Sequence, residues 1–195
     1  MSRDAKLYYE RHLPHWQPLG KELFITWRLA GSLPGAFWRD CKETATGKRF
    51  VAFDRALDVG HRGPDWLREP QMAKLVEDAL QYGEATLGLY KMLAYVVMSN
   101  HVHILIETDV PVQRIMKILK GYTARRGNQI LGRVGQRFWQ DESFDHWVRG
   151  PAERDKIVHY IENNPVSAGL VQRAEDWAWS SAAKKLSITK TTERR

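Results

Sequence analysis

The sequence predicts an α+β fold: an antiparallel sheet laid down in the order β-α-β-β-α-β, followed by one more helix. Three observations carry this. Short runs rich in β-branched and aromatic residues alternate with stretches whose apolar residues recur at helical spacing, and a polar break splits two apolar runs near the middle. Residues 23–29 (LFITWRL) form the first strand. Pro70 opens a helix in which Met72, Leu75, Val76, Ala79, Leu80 and Leu87 fall near helical spacing with acidic residues between. Residues 89–98 are apolar, Ser99 and Asn100 break the run, and residues 101–108 (HVHILIET) resume it, which reads as a hairpin.

In the second helix Val112, Ile115, Met116, Leu119, Tyr122 and Ile130 form the apolar stripe, and Arg114, Lys117, Lys120, Arg125 and Arg126 make the other face basic. Residues 137–148 (RFWQDESFDHWV), aromatic and partly alternating, are the fourth strand. Pro151 starts a third helix with Ile157, Val158 and Ile161, which is expected to stop at Asn164 because a proline disfavours the helical region in the residue before it. The result is the ferredoxin-like split βαβ pattern with an added C-terminal helix.

The rest of the chain is less regular. Residues 1–20, with Pro14 and Pro18, read as an irregular arm. Residues 31–65 hold five of the 14 glycines and two prolines, the mark of a long functional loop or an insertion with short elements of its own. One domain over 1–182 with that insertion is expected, and no internal repeat is visible. The stretch after Trp179 should fray, with 183–195 as a basic tail.

Composition narrows the function. Hydrophobic residues are 43% and charged residues 27%, which excludes collagenous and wholly disordered chains. The net charge of +7 favours a polyanion, and eight Trp, seven Tyr and six Phe add rings on which unpaired bases stack. Cys41 is the only cysteine, so an intramolecular disulfide and a cysteine metal cluster are excluded. No apolar run approaches 18 residues and the N-terminus has no signal-peptide core, so the expected setting is the cytoplasm, associated with the nucleoid, with no membrane partner.

The chemistry starts at His101-Val102-His103. On a strand, residues two apart point to one face, so both imidazoles converge while Val102, Ile104 and Ile106 turn to a core. Two imidazoles suit a divalent transition metal and, with oxygen ligands, Mg. The plain alternative is two satisfied polar groups at a strand start. A third ligand could be Glu107, on the same face but roughly 13 Å further on, or His146, or Asn164. Asn164 is favoured because it lies four residues after Tyr160 on the third helix, so both side chains share a face. A tyrosine hydroxyl forms covalent bonds with phosphate once a metal screens the charge. Tyr122 is the rival nucleophile, but its partner at i+4 is Arg126 and it falls in the apolar stripe.

The segments ITWRLAGSLP, YVVMSNHVHILIE, KGYTARRGNQILGRVGQRFWQDESFDHWVR and YIENNPVSAGLV, in that order over residues 12–182, resemble the REP-associated tyrosine transposases, which belong to the single-tyrosine HUH transposases. The resemblance implies that His101 and His103 are metal ligands, Tyr160 the nucleophile and Asn164 the third ligand, where insertion-sequence relatives carry glutamine. It implies a metal-dependent endonuclease and strand transferase, with Mg or Mn as cofactor. The enzyme would cut single-stranded DNA through a 5′-phosphotyrosine intermediate, on palindromic repeats that fold into hairpins with single-stranded flanks. Ser99 departs from the family, which has proline there. Lys117, Lys120, Arg125, Arg126, Arg133, Arg137 and Arg149 are the expected DNA contacts, with a solvated basic face as the plain alternative. The rival functions are a domesticated hairpin-binding protein without cleavage and, more remotely, a zinc hydrolase. A homodimer, with sites completed in cis or between subunits, stays open.

Overall fold

In a computed structural model the structure describes residues 8–10, 14–16, 20–32, 63–141 and 143–185. Most of the 31–65 stretch, and the tail beyond 185, therefore lie outside the described residues. The first surprise is in the arm: β1 (Tyr8–Glu10) and β2 (Pro14–Trp16) pair antiparallel, so part of it is a small hairpin rather than irregular chain.

The main sheet holds β3 (Lys21–Arg28), β4 (Lys91–Val97), β5 (His101–Thr108) and β6 (Phe144–Trp147) in the order β4-β5-β3-β6, all neighbours antiparallel. With α1 (Pro70–Ala85) after the first strand of this sheet and α2 (Val112–Ile130) after the third, this is the expected split βαβ arrangement. The fourth strand is shorter than predicted. Residues 138–140 do run beside the end of β3, where Ala30 N–H donates to Phe138 O and Gln140 N–H to Arg28 O. The ladder then breaks, and at that point Lys120 Nζ donates to the carbonyls of Gln140 and Asp141.

Alternation along the strands gives the sheet two different faces. Leu23, Ile25 and Trp27 of β3 and Val102, Ile104 and Ile106 of β5 pack under Met72, Val76 and Leu80 of α1 and Ile115 and Leu119 of α2. Phe24, Leu105, Ala94 and Val96 face the other way and pack under Ile161 of α3 (Pro151–Ser167). Tyr122, expected in the stripe of α2, is 46% exposed. It sits three residues after Leu119 but one step round the helix from the sheet, and the stripe is narrower than its spacing suggested.

Helix α3 does not stop at Asn164. Pro165 lies inside it, and the helix closes instead at Gly169, whose φ of 70° puts it in the left-handed region. Gly169 N–H donates to Val166 O and Leu170 N–H to Pro165 O, both at 2.9 Å, the paired bonds of a Schellman cap. Proline removes one N–H in the last turn, and that single loss is outweighed by the cap and by the burial of Pro165. The chain after Trp179 is not frayed as far as residue 185. Val97 N–H donates to Trp179 O, Trp177 Nε1 donates to Val97 O, and Ser180 is buried against the outer edge of β4.

Candidate active site

His101 and His103 leave β5 on the α3 side, with ring centroids 4.6 Å apart. Both are almost completely buried. Each has a fixed neighbour at Nδ1. His101 Nδ1 lies 2.6 Å from Asn100 Oδ1, and His103 Nδ1 lies 2.7 Å from the Thr26 hydroxyl. Asn100 Oδ1 only accepts, so His101 Nδ1 carries the proton and Nε2 keeps its lone pair. The same tautomer of His103 follows when Thr26 Oγ1 accepts, leaving Nε2 available to a cation.

The third helix brings the other two groups. Asn164, 2% exposed, places Nδ2 3.4 Å from His103 Nε2. Rotating the amide by half a turn would present its oxygen there instead. Tyr160, half-buried, stands one helical turn earlier with its ring centroid 5.8 Å from that of His103 and edge-on to Phe24 at 6.1 Å. Phe24 in turn stacks on His103 at 5.6 Å. Four residues from distant parts of the chain thus meet because β5 alternates with period two and α3 repeats at i, i+4. Two imidazole nitrogens, with the Asn164 amide turned oxygen-first, would make a donor set for a divalent metal ion. Among the described residues there is no cluster of three His, Cys, Asp or Glu.

The other third-ligand options lie elsewhere. Glu107 is exposed at the far end of β5, 3.9 Å from Lys91 Nζ. His146 projects from β6 to the same side of the sheet as the histidines, where Nε2 meets Glu153 Oε1 at 3.0 Å. Glu153 also accepts Arg149 N–H, and despite partial burial these contacts hold its carboxyl below the usual range. The pair ties the start of α3 to β6.

The expected DNA-contacting residues divide between two layers. Lys117, Lys120, Arg125 and Arg126 belong to α2, on the face of the sheet opposite the histidines. Lys120 is tied to the loop carbonyls. Arg126 donates to Gln129 Oε1, Arg133 lies 4.0 Å over the Trp66 ring, and Arg137 pairs with Asp141 at 2.8 Å. Arg149 alone is exposed beside α3.

Sequence reasoning missed Thr26, Asn100 and Arg28. Arg28 is paired in register with His101, donates to Ser32 Oγ at 3.1 Å and is 3% exposed. Burial lowers its pKa to about 10. A charged residue so fully enclosed beside the histidines has no signature in a strand read as LFITWRL. Asn100 was legible in principle, since a side-chain amide next to a histidine can reach its ring.

Residues 71–164 match the family model described as transposase IS200 like, a span that begins in α1 and ends on Asn164. Two solved structures are similar. A REP-associated tyrosine transposase bound to a REP hairpin is 17% identical over 92% of this chain and 84% of its own, with a TM-score of 0.59, and shares the fold. A provisionally assigned transposase from Deinococcus radiodurans R1 is 20% identical over 73% of this chain and 89% of its own, with a TM-score of 0.36. No curated protein matches the chain.

Proposed function

We propose that this chain, whose residues 71–164 match the IS200-like transposase model, is a DNA-processing enzyme of that kind that cuts and rejoins single-stranded DNA with Tyr160 as nucleophile. The observation that carries the reading is the meeting of Tyr160 and Asn164 with His103: rings 5.8 Å apart, amide and imidazole at 3.4 Å. The Tyr160 oxygen attacks the scissile phosphorus, the new O–P bond forms and the P–O3′ bond breaks. The phenolic proton passes to solvent, and the departing 3′ oxygen takes up a proton. The products are a 5′-phosphotyrosine and a free 3′-hydroxyl, and attack by another 3′-hydroxyl reverses the step. A phenol is mostly protonated at neutral pH, so the step needs charge screening at the phosphate.

His101, His103 and Asn164 are the residues that would hold a divalent ion, Mg or Mn. Such an ion supplies charge neutralisation at the phosphate. With Thr26 and Asn100 at the two Nδ1 atoms, the Nε2 atoms of His101 and His103 would be the ones to ligate such an ion. Phe24 and Ile161 pack beside the histidines on this side of the sheet. Arg149, exposed beside α3, would be the cation that meets the strand there. The similar transposase of known structure is bound to a REP hairpin, and palindromic repeats with single-stranded flanks are the substrate class this reading takes.

Incubating the protein with end-labelled hairpin DNA and Mn tests this. Parent protein should give an adduct that survives denaturing electrophoresis, and Tyr160→Phe should give none. Tyr122→Phe should retain it, since Tyr122 is exposed on α2 across the sheet. An adduct that persists in Tyr160→Phe and vanishes in Tyr122→Phe overturns the assignment. Binding with no adduct from the parent protein makes the chain a hairpin binder instead.

A further inference from the structure

Helix α3 carries both Tyr160 and Asn164, yet little apolar surface holds it to the sheet. Its buried residues are Ile161, Asn164 and Pro165, with Ile157, Val158 and Tyr160 only partly covered. Successive residues turn by about 100° round a helix, so Tyr160 and Asn164 lie to one side of Ile161 and Glu162 lies to the other. One narrow line of contact resists sliding better than it resists rolling. A side-chain tip roughly 6 Å from the axis moves about 2 Å when the helix rolls by about 20°. A shift of that size breaks the 3.4 Å approach of Asn164 to His103. His101 and His103 ride on β5, an inner strand, so α3 is the part of the site whose placement can vary.

Polar ties supply what packing does not. At its start α3 is joined to β6 by Glu153 with His146 and to β3 by Arg154 with Glu22, both at 3.0 Å. In its second half the tie is Glu162, a largely buried carboxylate. Its Oε1 accepts the Ser181 hydroxyl at 2.7 Å and Lys185 Nζ at 2.6 Å. The Ser181 oxygen also accepts Tyr95 N–H at 3.3 Å, so the outer edge of β4 reaches α3 through one buried hydroxyl. Trp177 and Trp179 bind the same edge at Val97 and hold the segment 177–185 in place. Lys184 turns instead to α1, where its Nζ lies 3.3 Å from Glu77 Oε1.

We propose that Glu162 is a positioning residue: its bond to Ser181 sets the roll of α3 that turns Tyr160 and Asn164 toward His103. It acts through the helix, since it lies on the flank of Ile161 away from Tyr160. The catalytic consequence rests on the DNA-cutting reading above, and the structural one rests on the tie alone.

The test compares Glu162→Ala, Glu162→Gln and Ser181→Ala, with Lys184→Gln as the control that loosens the same segment from α1. Adduct formation is timed with end-labelled hairpin DNA at saturating DNA and Mn, and hydrogen exchange of the DNA-free protein is followed in α3 and β5. Glu162→Ala should slow the adduct about 10- to 100-fold, the scale of a small misplacement of reacting atoms, with hairpin affinity unchanged. Amides of α3 should exchange faster while those of β5 keep the parent rate. Glu162→Gln should recover most of the adduct rate. Its amide oxygen still accepts Ser181, and the lost pair with the well-exposed Lys185 is weak. Ser181→Ala should slow the adduct as Glu162→Ala does, and the two together should add nothing further; it also carries the test if Glu162→Ala does not fold. Lys184→Gln should match the parent. Parent rates in Glu162→Ala and Ser181→Ala, faster exchange spread over β5 as well, or an equal loss in Lys184→Gln overturns the proposal. No adduct from the parent protein overturns the cutting reading instead, and the exchange of α3 against β5 then decides the tie by itself.

Discussion

Thr26→Val removes one oxygen from the site and little else. The hydroxyl lies 2.7 Å from His103 Nδ1, and both residues are at most 1% exposed. Valine keeps the shape and the preference for strand, but it puts a methyl against a buried ring nitrogen. Loss of a buried hydrogen bond with the partner left behind costs about 1–3 kcal/mol. For a chain of this length that is a fall in melting temperature of roughly 2–4 °C per kcal/mol. With His103 holding a divalent ion as proposed, the larger effect would fall on metal affinity. Without an acceptor at Nδ1 the imidazole loses its bias toward the tautomer that leaves Nε2 bare, and losses of this kind lower metal affinity about 10- to 100-fold. Cleavage of hairpin DNA should therefore need that much more Mn or Mg to reach half its maximum, while the rate at saturating metal recovers. Thr26→Ser, which keeps the hydroxyl, should restore the metal midpoint. A metal midpoint in Thr26→Val equal to that of the parent, with the variant folded, refutes the reasoning.

His103→Ala should abolish metal-dependent cleavage while hairpin binding, measured by gel shift, stays within about twofold, since affinity rests on phosphate contacts and stacking; loss of binding as well would mean that the histidine serves the fold. Binding should fall steeply with salt: with only three phosphates engaged by the basic residues of α2 and Arg149, a fourfold rise in salt lowers affinity about 40-fold, and a flat titration excludes that footprint. Gly127→Ala places its Cβ 2.7 Å from Phe138 and 2.9 Å from Met72 and should destabilise the protein by about 1–3 kcal/mol, read by thermal melting.

Much of this arrangement was legible because it depends on local periodicity. Read as a strand, HVHILIE puts His101 and His103 on one face and Val102, Ile104 and Ile106 on the other by its period alone, and Tyr160 and Asn164 share a face by helical spacing. What was illegible depends on partners remote in sequence. Thr26 meets His103 through a pairing of β3 with β5 across 77 residues, and nothing in either strand states its register. The layer occupied by the basic helix could not be read either, because an apolar stripe says that a helix packs but not on which side of a sheet. Pro165 ends the helix less abruptly than the rule for the preceding residue implies: one proline is tolerated in the last turn, and the Gly169 cap closes the helix beyond it. Ser180 and Ser181 look like tail residues in a polar run, yet they are buried where Trp177 and Trp179 clip the chain to the edge of β4.

The turn before the histidine pair shows why the departure at Ser99 leaves the site intact. Asn100 does two things at once: its backbone carbonyl accepts Leu29 N–H at 2.8 Å, and its side chain holds His101 Nδ1 at 2.6 Å. Met98 N–H donates to His101 O and closes the hairpin, and Ser99 contributes through its carbonyl, which accepts Leu67 N–H at 3.1 Å. A proline at 99 would offer the same carbonyl, so this bond does not depend on the residue type. The position that cannot change freely is Asn100, because its side-chain oxygen holds His101 Nδ1. The bond from Leu29 N–H to Asn100 O joins the end of β3 to the turn, and it fixes the register on which the histidine site depends.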